Sequence, residues 1–351
     1  MVAGDEGWVR SEVGVFWTRN GGRSWRPITP PVPHGFAIAG VYFASPRRGW
    51  ALADAGGELE IRASMYRTTD GGRTWHRTSL RGAGFIRGAT KVSFSLVGGH
   101  ELFVMARESG DTASNFGVLL VSHDSGRHWR ALPSPPKAGR ISFETPRRGW
   151  LAVAWPGLGL LRTLNGGRSW VEVQPGKPPG TPTPKGREPG LREAVWGAYY
   201  TTPLIGPNGT GILGMVEMPD KSEIEGKSAT PAVVLRTTDD GRSWHRTAKI
   251  ELPEIGGVFD ASEVFAPRGR TLSFFFRSPE SGARTVIGPD GHPGPLHPSP
   301  DISGYGEVMT FSDTKHGFAF PEYGSHPSLL VTKNGGHTWT PVPVPRAPQG
   351  N

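Results

Sequence analysis

One octet constrains this chain more than any other feature. It reads Thr68-Thr69-Asp70-Gly71-Gly72-Arg73-Thr74-Trp75 and recurs as Thr18 to Trp25, Ser122 to Trp129, Thr163 to Trp170, Thr237 to Trp244 and Thr332 to Trp339. Every copy keeps a hydroxyl, Asp or Asn two residues on, Gly two after that and Trp three further. Six copies in 351 residues make internal repetition the first fact to settle.

The residues around the octet say what it is for. A short apolar or β-branched run precedes each copy, such as Val118-Leu119-Leu120-Val121 or Leu329-Leu330-Val331, and another follows, such as Trp170-Val171-Glu172-Val173. That is strand, turn, strand, the pattern of a β-hairpin. The hydroxyl and the Asp or Asn side chain are suited to bonding backbone amides inside the turn. Glycine supplies the positive φ that a β-branched residue reaches only with strain. The Trp opens the returning strand with a large ring to bury against the neighbouring repeat. The positions carrying this device are Thr18, Asn20, Gly22 and Trp25; Thr68, Asp70, Gly72 and Trp75; Ser122, Asp124, Gly126 and Trp129; Thr163, Asn165, Gly167 and Trp170; Thr237, Asp239, Gly241 and Trp244; and Thr332, Asn334, Gly336 and Trp339.

A second pattern accompanies the octet: an apolar strand, a turn, then Gly and an aromatic. Examples run from Val41-Tyr42-Phe43 to Gly49-Trp50, from Ile141-Ser142-Phe143 to Gly149-Trp150, and from Val308 to Phe311 followed by Gly317-Phe318. Together the two patterns give a four-stranded unit, the signature of a propeller blade. Successive box tryptophans lie 50, 54, 41, 74 and 95 residues apart, read from Trp25, Trp75, Trp129, Trp170, Trp244 and Trp339. The longest gap predicts a unit with a decayed turn around Arg284 to Gly291. The 74-residue gap carries a Pro/Gly-rich insert over 175–190. The expectation is a single all-β domain over 1–351: a seven-bladed β-propeller of four-stranded blades. Its first blade begins at Gly7-Trp8-Val9 and lacks the innermost strand, so we expect the native product to extend upstream, with the missing strand and an export signal.

The octet resembles the Asp-box, or bacterial neuraminidase repeat, of sialidases, some endoglucanases and photosystem II assembly factors. That resemblance implies a β-propeller in which the box is a folding device, so Asp70, Asp124 and Asp239 are expected to be structural. The pairing of box with Gly–aromatic strand is most similar to the non-catalytic, assembly-factor-like propellers. It implies a protein- or polymer-binding scaffold, extracellular or at the bacterial cell envelope, with a cytoplasmic location as the alternative. The competing function is a sialidase-like or endoglucanase-like glycoside hydrolase. It would draw on loop residues such as Arg62, Arg81, Arg87, Arg107, Arg192 and Arg277 with Glu58, Asp111, Glu193, Asp220 and Tyr305. The Arg-Ile-Pro motif of sialidases is missing, since Ile28-Thr29-Pro30 follows Pro27.

Charge enters here. Lys and Arg number 39 against 31 Asp and Glu, a formal net charge of +8. Many arginines fall in turns: Arg47, Arg48, Arg147 and Arg148 before the Gly–Trp strands, and Arg23, Arg73, Arg127, Arg168 and Arg242 inside the boxes. The first four are candidate contacts for an anionic protein or polymer. No basic helix or nucleic-acid motif is present, so nucleic acid is not expected. With no cysteine there is neither disulfide nor thiolate chemistry. The histidines have no partners at ligand spacing, so no metal or cofactor is expected. No apolar run is long enough for a transmembrane helix.

Overall fold

The computed structural model describes residues 5–11, 13–54, 63–81, 89–108, 117–133, 135–153, 159–175, 198–217, 232–250, 260–265, 272–277, 282–287, 290–295, 297–298, 308–311, 315–320 and 329–345. All 28 described elements are β-strands, and they form six sheets. The first sheet holds Gly7–Ser11, Gly14–Thr18 and Arg26–Pro27. Four strands, Gly139–Phe143, Gly149–Val153, Leu160–Thr163 and Val171–Val173, make the third. Ala198–Tyr200, Gly211–Glu217, Ala232–Thr237 and His245–Ile250 make the fourth, with Leu204–Ile205 as a fifth strand beside Gly211–Glu217. The fifth and sixth span Asp260 to Pro298 and Val308 to Val342, with four strands each.

The second sheet corrects the blade count. The fold is an all-β β-propeller, but with six blades rather than seven. Ala37–Phe43, Gly49–Asp54, Ala63–Thr68 and His76–Arg81 form one antiparallel run. Ala89–Val97, Glu101–Glu108, Gly117–Ser122 and His128–Ala131 form a second. His128, Trp129 and Arg130 pair in parallel with Ser79, Leu80 and Arg81, so the two runs fuse into one eight-stranded sheet. Counting boxes cannot reveal this, because the fusion uses outer-strand backbone groups and no side-chain signature. The decayed unit inferred around Arg284 is a sheet: Gly282–Ile287 pairs with Leu272–Arg277 and with His297–Pro298. The Pro/Gly-rich insert lies beyond Pro175, outside the described residues.

By internal contacts the chain groups into two compact units. One comprises Met1–Trp155, Leu161–Val171 and Pro343–Asn351, and the other Pro156–Leu160 and Glu172–Val342. In the first, alternation along the strands sends Trp50, Leu52, Met65, Leu102, Val104, Leu120 and Trp129 into one core cluster. Phe103, Met105, Leu119, Phe143 and Leu151 fill another. In the second unit, Leu213, Val234 and Leu235 are fully buried. The inner strands are apolar on both faces, as sheets covered on both sides require.

Candidate functional site

Every box turn is built around one buried hydroxyl. Thr68 Oγ1 accepts the Gly72 amide at 2.9 Å and donates to Asp70 Oδ1 at 2.9 Å. Thr18, Ser122, Thr163, Thr237 and Thr332 make the same two bonds, the amide contact always 2.7–2.9 Å. These hydroxyl residues are at most 1% exposed, so each satisfies an amide that water cannot reach. The Asp or Asn oxygen then accepts the amide four residues on: Ser24, Thr74, His128, Ser169, Ser243 and Thr338 donate at 2.9–3.0 Å.

The second polar atom of each Asp or Asn is engaged too. Asp70 Oδ2 accepts from Thr74 Oγ1 and Asp239 Oδ2 from Ser243 Oγ, both at 2.6 Å. Asp124 Oδ2 meets His128 Nδ1 at 2.6 Å. Where the box carries Asn, its amide instead donates to Ser24, Ser169 or Thr338. Burial alone raises the pKa of the Asp70 carboxyl, but bonds from the Thr74 side chain and amide, Thr68 and the Arg73 amide outweigh it and bring it to about 2. For Asp124, burial is likewise outweighed, by His128, Ser122 and the Arg127 amide, again giving about 2. Asp239 is also lowered: bonds from Ser243, Thr237 and the Arg242 amide outweigh burial. Carboxylates ionised at neutral pH, with both oxygens bonded inside their own turn, are not placed to act as general acids. They hold turns.

Each box turn also docks on the turn that precedes the second strand of its own unit, a Gly–aromatic strand in four of the six. The amides of Gly21, Gly71, Ser125, Gly166, Asp240 and Gly335 donate to the carbonyls of Asp5, Arg47, His100, Arg147, Gly209 and Lys315 at 2.7–2.9 Å. Sequence reading missed this contact, and also the use of the Gly–Trp ring. Trp50 Nε1 donates to Ser125 O at 2.9 Å, reaching the box of the following unit. A Cβ at Gly126 would lie 2.2 Å from that Nε1, which explains glycine there beyond its φ of 81°. The box tryptophans do meet neighbouring repeats, as Trp75 Nε1 donates to Ile28 O at 2.8 Å and Trp25 Nε1 to Pro343 O at 2.9 Å.

The four candidate arginines divide. Arg47 and Arg147 are exposed; Arg48 and Arg148 are half-buried. Arg48 donates to Gly99 O at 2.8 Å and sits 5.7 Å over the Trp50 ring. Arg148 Nε lies 3.0 Å from Glu144 Oε2. These two are largely spent on structure.

Other arginines crowd around the boxes. Arg26 donates to Gly71 O at 2.7 Å, and burial followed by the charges of Arg73 and Arg19 holds its pKa below the ordinary arginine range. Arg67 is lowered likewise, by burial and then by Arg127 and Arg48. Like charges close enough to perturb one another raise the local positive potential, which Asp70 and Asp124 offset in part.

One cleft opens among these turns in the first unit. It holds about 210 Å³, with Arg130, Arg147, Arg168 and Asn165 around it and Val121 and Leu132 in its lining. At one side Glu101, only 9% exposed, meets His123 Nδ1 at 2.5 Å. Of the loop residues offered for hydrolysis, Arg62, Arg87, Arg192, Glu58, Asp111, Glu193, Asp220 and Tyr305 lie outside the described residues. Arg81, Arg107 and Arg277 fall at strand ends. Among the described residues no cluster of His, Asp or Glu is arranged to hold a metal ion. Nor, among them, is any helix long and apolar enough to cross a membrane.

A model of the BNR/Asp-box repeat matches residues 66–77, the second box and its flanks. The octet is an Asp-box. No curated protein sequence matches the chain. Among solved structures it is similar to YCF48 from Cyanidioschyzon merolae, at 17% identity over 89% of this chain and 87% of that one, with a TM-score of 0.50. A structure of YCF48 bound to D1 peptide matches at 17% identity over 88% and 82%, with a TM-score of 0.47. A prolyl endopeptidase matches at 12% identity and a TM-score of 0.53, over 97% of this chain and 47% of the enzyme. At such identities the likeness is one of fold.

Proposed function

We propose that this Asp-box propeller is a non-catalytic scaffold that binds an acidic protein or anionic polymer, acting outside the cell or at the bacterial cell envelope. One observation carries the reading. The boxes consume their own carboxylates in turn geometry, while arginines accumulate around those turns, with exposed Arg19, Arg26 and Arg73 about one box and exposed Arg127 beside half-buried Arg48 and Arg67 about the next. A surface of one sign on a rigid β scaffold attracts an opposite charge and fixes its approach. Of the four candidate contacts, Arg47 and Arg147 are the exposed ones, whereas Arg48 is held to Gly99 O and Arg148 to Glu144. Cofactor, metal and nucleic acid have no part in this reading.

The test is a fluorescence-anisotropy titration of labelled polyglutamate into purified protein and into a variant carrying Arg73→Glu and Arg127→Glu. We expect the double reversal to weaken binding by about ten-fold or more, as like charge at a polar interface does. Unchanged affinity in a folded variant would overturn the assignment of the surface.

A further inference from the structure

The fourth box departs from the other five at its two outward-facing positions. The residue after the box hydroxyl is exposed in every copy, and it is Arg19, Thr69, His123, Thr238 or Lys333 in five of them. In the fourth it is Leu164, 63% exposed. The residue after the box Trp is also exposed in every copy, as Arg26, His76, Arg130, His245 or Thr340 in five. In the fourth it is Val171, 69% exposed. The turn itself does not ask for these apolar side chains, because its bonds are the same in all six copies. Exposed Leu164 directly precedes Asn165, which lines the arginine-rimmed cleft.

The cleft has its own departure. Position for position, Glu101 stands where Arg48 stands in the preceding run, since Leu102 pairs with Ser122 as Gly49 pairs with Thr68. The buried Glu101 carboxylate, one negative charge, is in contact with His123, whereas three arginines, Arg130, Arg147 and Arg168, line the cleft. Positive charge therefore dominates, beside an apolar lining of Val121 and Leu132 and the exposed Leu164. Among the described residues, no Phe, Tyr or Trp lines it to stack a sugar.

We infer that the fourth box is a docking site for an acidic protein segment that carries apolar residues, its carboxylates meeting Arg147 and Arg168 and an apolar side chain covering Leu164. The inference rests on the scaffold reading above and assigns it a place. Charge complementarity selects the occupant: a second copy of this chain brings a net charge of +8 to an arginine-rimmed surface, which repels it. Leu164 supplies the apolar contact that distinguishes a protein segment from a bare polyanion.

Two labelled peptides test this, one alternating glutamate with leucine and one alternating glutamate with serine. The wild-type protein should bind the leucine peptide about ten-fold more tightly, the scale of one covered leucine side chain. Leu164→Lys with Val171→Thr, which installs the residues of the sixth box, should erase that preference without weakening the serine peptide. Arg147→Ala with Arg168→Ala should weaken both peptides about ten-fold, while Lys137→Ala, exposed at the opposite end of the Gly139–Phe143 strand from Arg147, should change either by less than about two-fold.

Absence of a leucine preference, or its survival in the Leu164→Lys, Val171→Thr variant, overturns the docking site but leaves the basic-surface reading standing if the serine peptide still binds. Binding of neither peptide overturns both. A wild-type dimer in sedimentation that Leu164→Lys dissolves would assign the site to a second copy and overturn the acidic segment.

Discussion

Replacing Thr68 by Val tests the claim that one hydroxyl holds each box. The substitution keeps shape and removes an oxygen that accepts the Gly72 amide at 2.9 Å and donates to Asp70 at 2.9 Å. Thr68 is fully buried, and the Gly72 amide bond to it is buried as well. Leaving that N–H without an acceptor costs about 1–3 kcal/mol, and loss of the bond to the carboxylate adds about 1 kcal/mol because Asp70 regains water. The total is about 2–4 kcal/mol. Thr68→Ser keeps the hydroxyl, as Ser122 does in the third box, and gives up one methyl, about 0.8 kcal/mol. Urea unfolding followed by tryptophan fluorescence reads the difference between the two variants. Hydrogen exchange at the Gly72 amide reads the local opening. A Thr68→Val protein within about 0.5 kcal/mol of wild type, with the Gly72 amide still protected, would refute the hydroxyl-centred account.

Acid should act on three boxes and spare three. The Asp70 and Asp124 carboxyls sit at about 2 in the fold, below the ordinary 3.8, and Asp239 is lowered as well. Their contribution is therefore complete above about pH 4 and is lost as pH falls through about 2. Solvent screening limits it to about 1 kcal/mol or less per turn. A variant with Asn at all three positions, the residue that Asn20, Asn165 and Asn334 already use, should show a flatter stability profile between pH 4 and pH 2 in acid-titration circular dichroism; an identical profile would contradict the assignment. Ser125 sits at a φ of 63° where four boxes have glycine. Ser125→Gly should stabilise by about 0.5 kcal/mol, the relief of a left-handed non-glycine less the entropy of a freer unfolded chain, and thermal unfolding that shows a loss would contradict this.

The repeat made the local structure legible. Hydroxyl, Asp or Asn, Gly and Trp are each required by a bond or a φ that the turn imposes, so their spacing announces the hairpin. Thr285 shows how far that goes. In the unit with no box Trp, it is fully buried and donates to Gly294 O at 2.8 Å, so the hairpin persists with different turn bonds. Blade number was not legible. The parallel pairing of Trp129 with Leu80 uses backbone groups and leaves no periodic mark. The arginines were half legible: their turn placement was visible, but not that Arg48 is held by Gly99 O while its neighbour Arg47 is exposed. Leu164 and Val171 were in plain view, yet their significance depends on knowing that their positions are exposed in every copy.

The account rests on an electrostatic contact at the arginine-bearing turns, and salt tests that most directly. Labelled polyglutamate should be titrated into the protein from about 0.05 to about 0.5 M NaCl, where the screening length falls from roughly 14 Å to roughly 4 Å. The account predicts a dissociation constant that climbs steeply across that range and a slope that flattens in the Arg73→Glu, Arg127→Glu variant. Affinity independent of salt, or a slope untouched by the reversal, would contradict it.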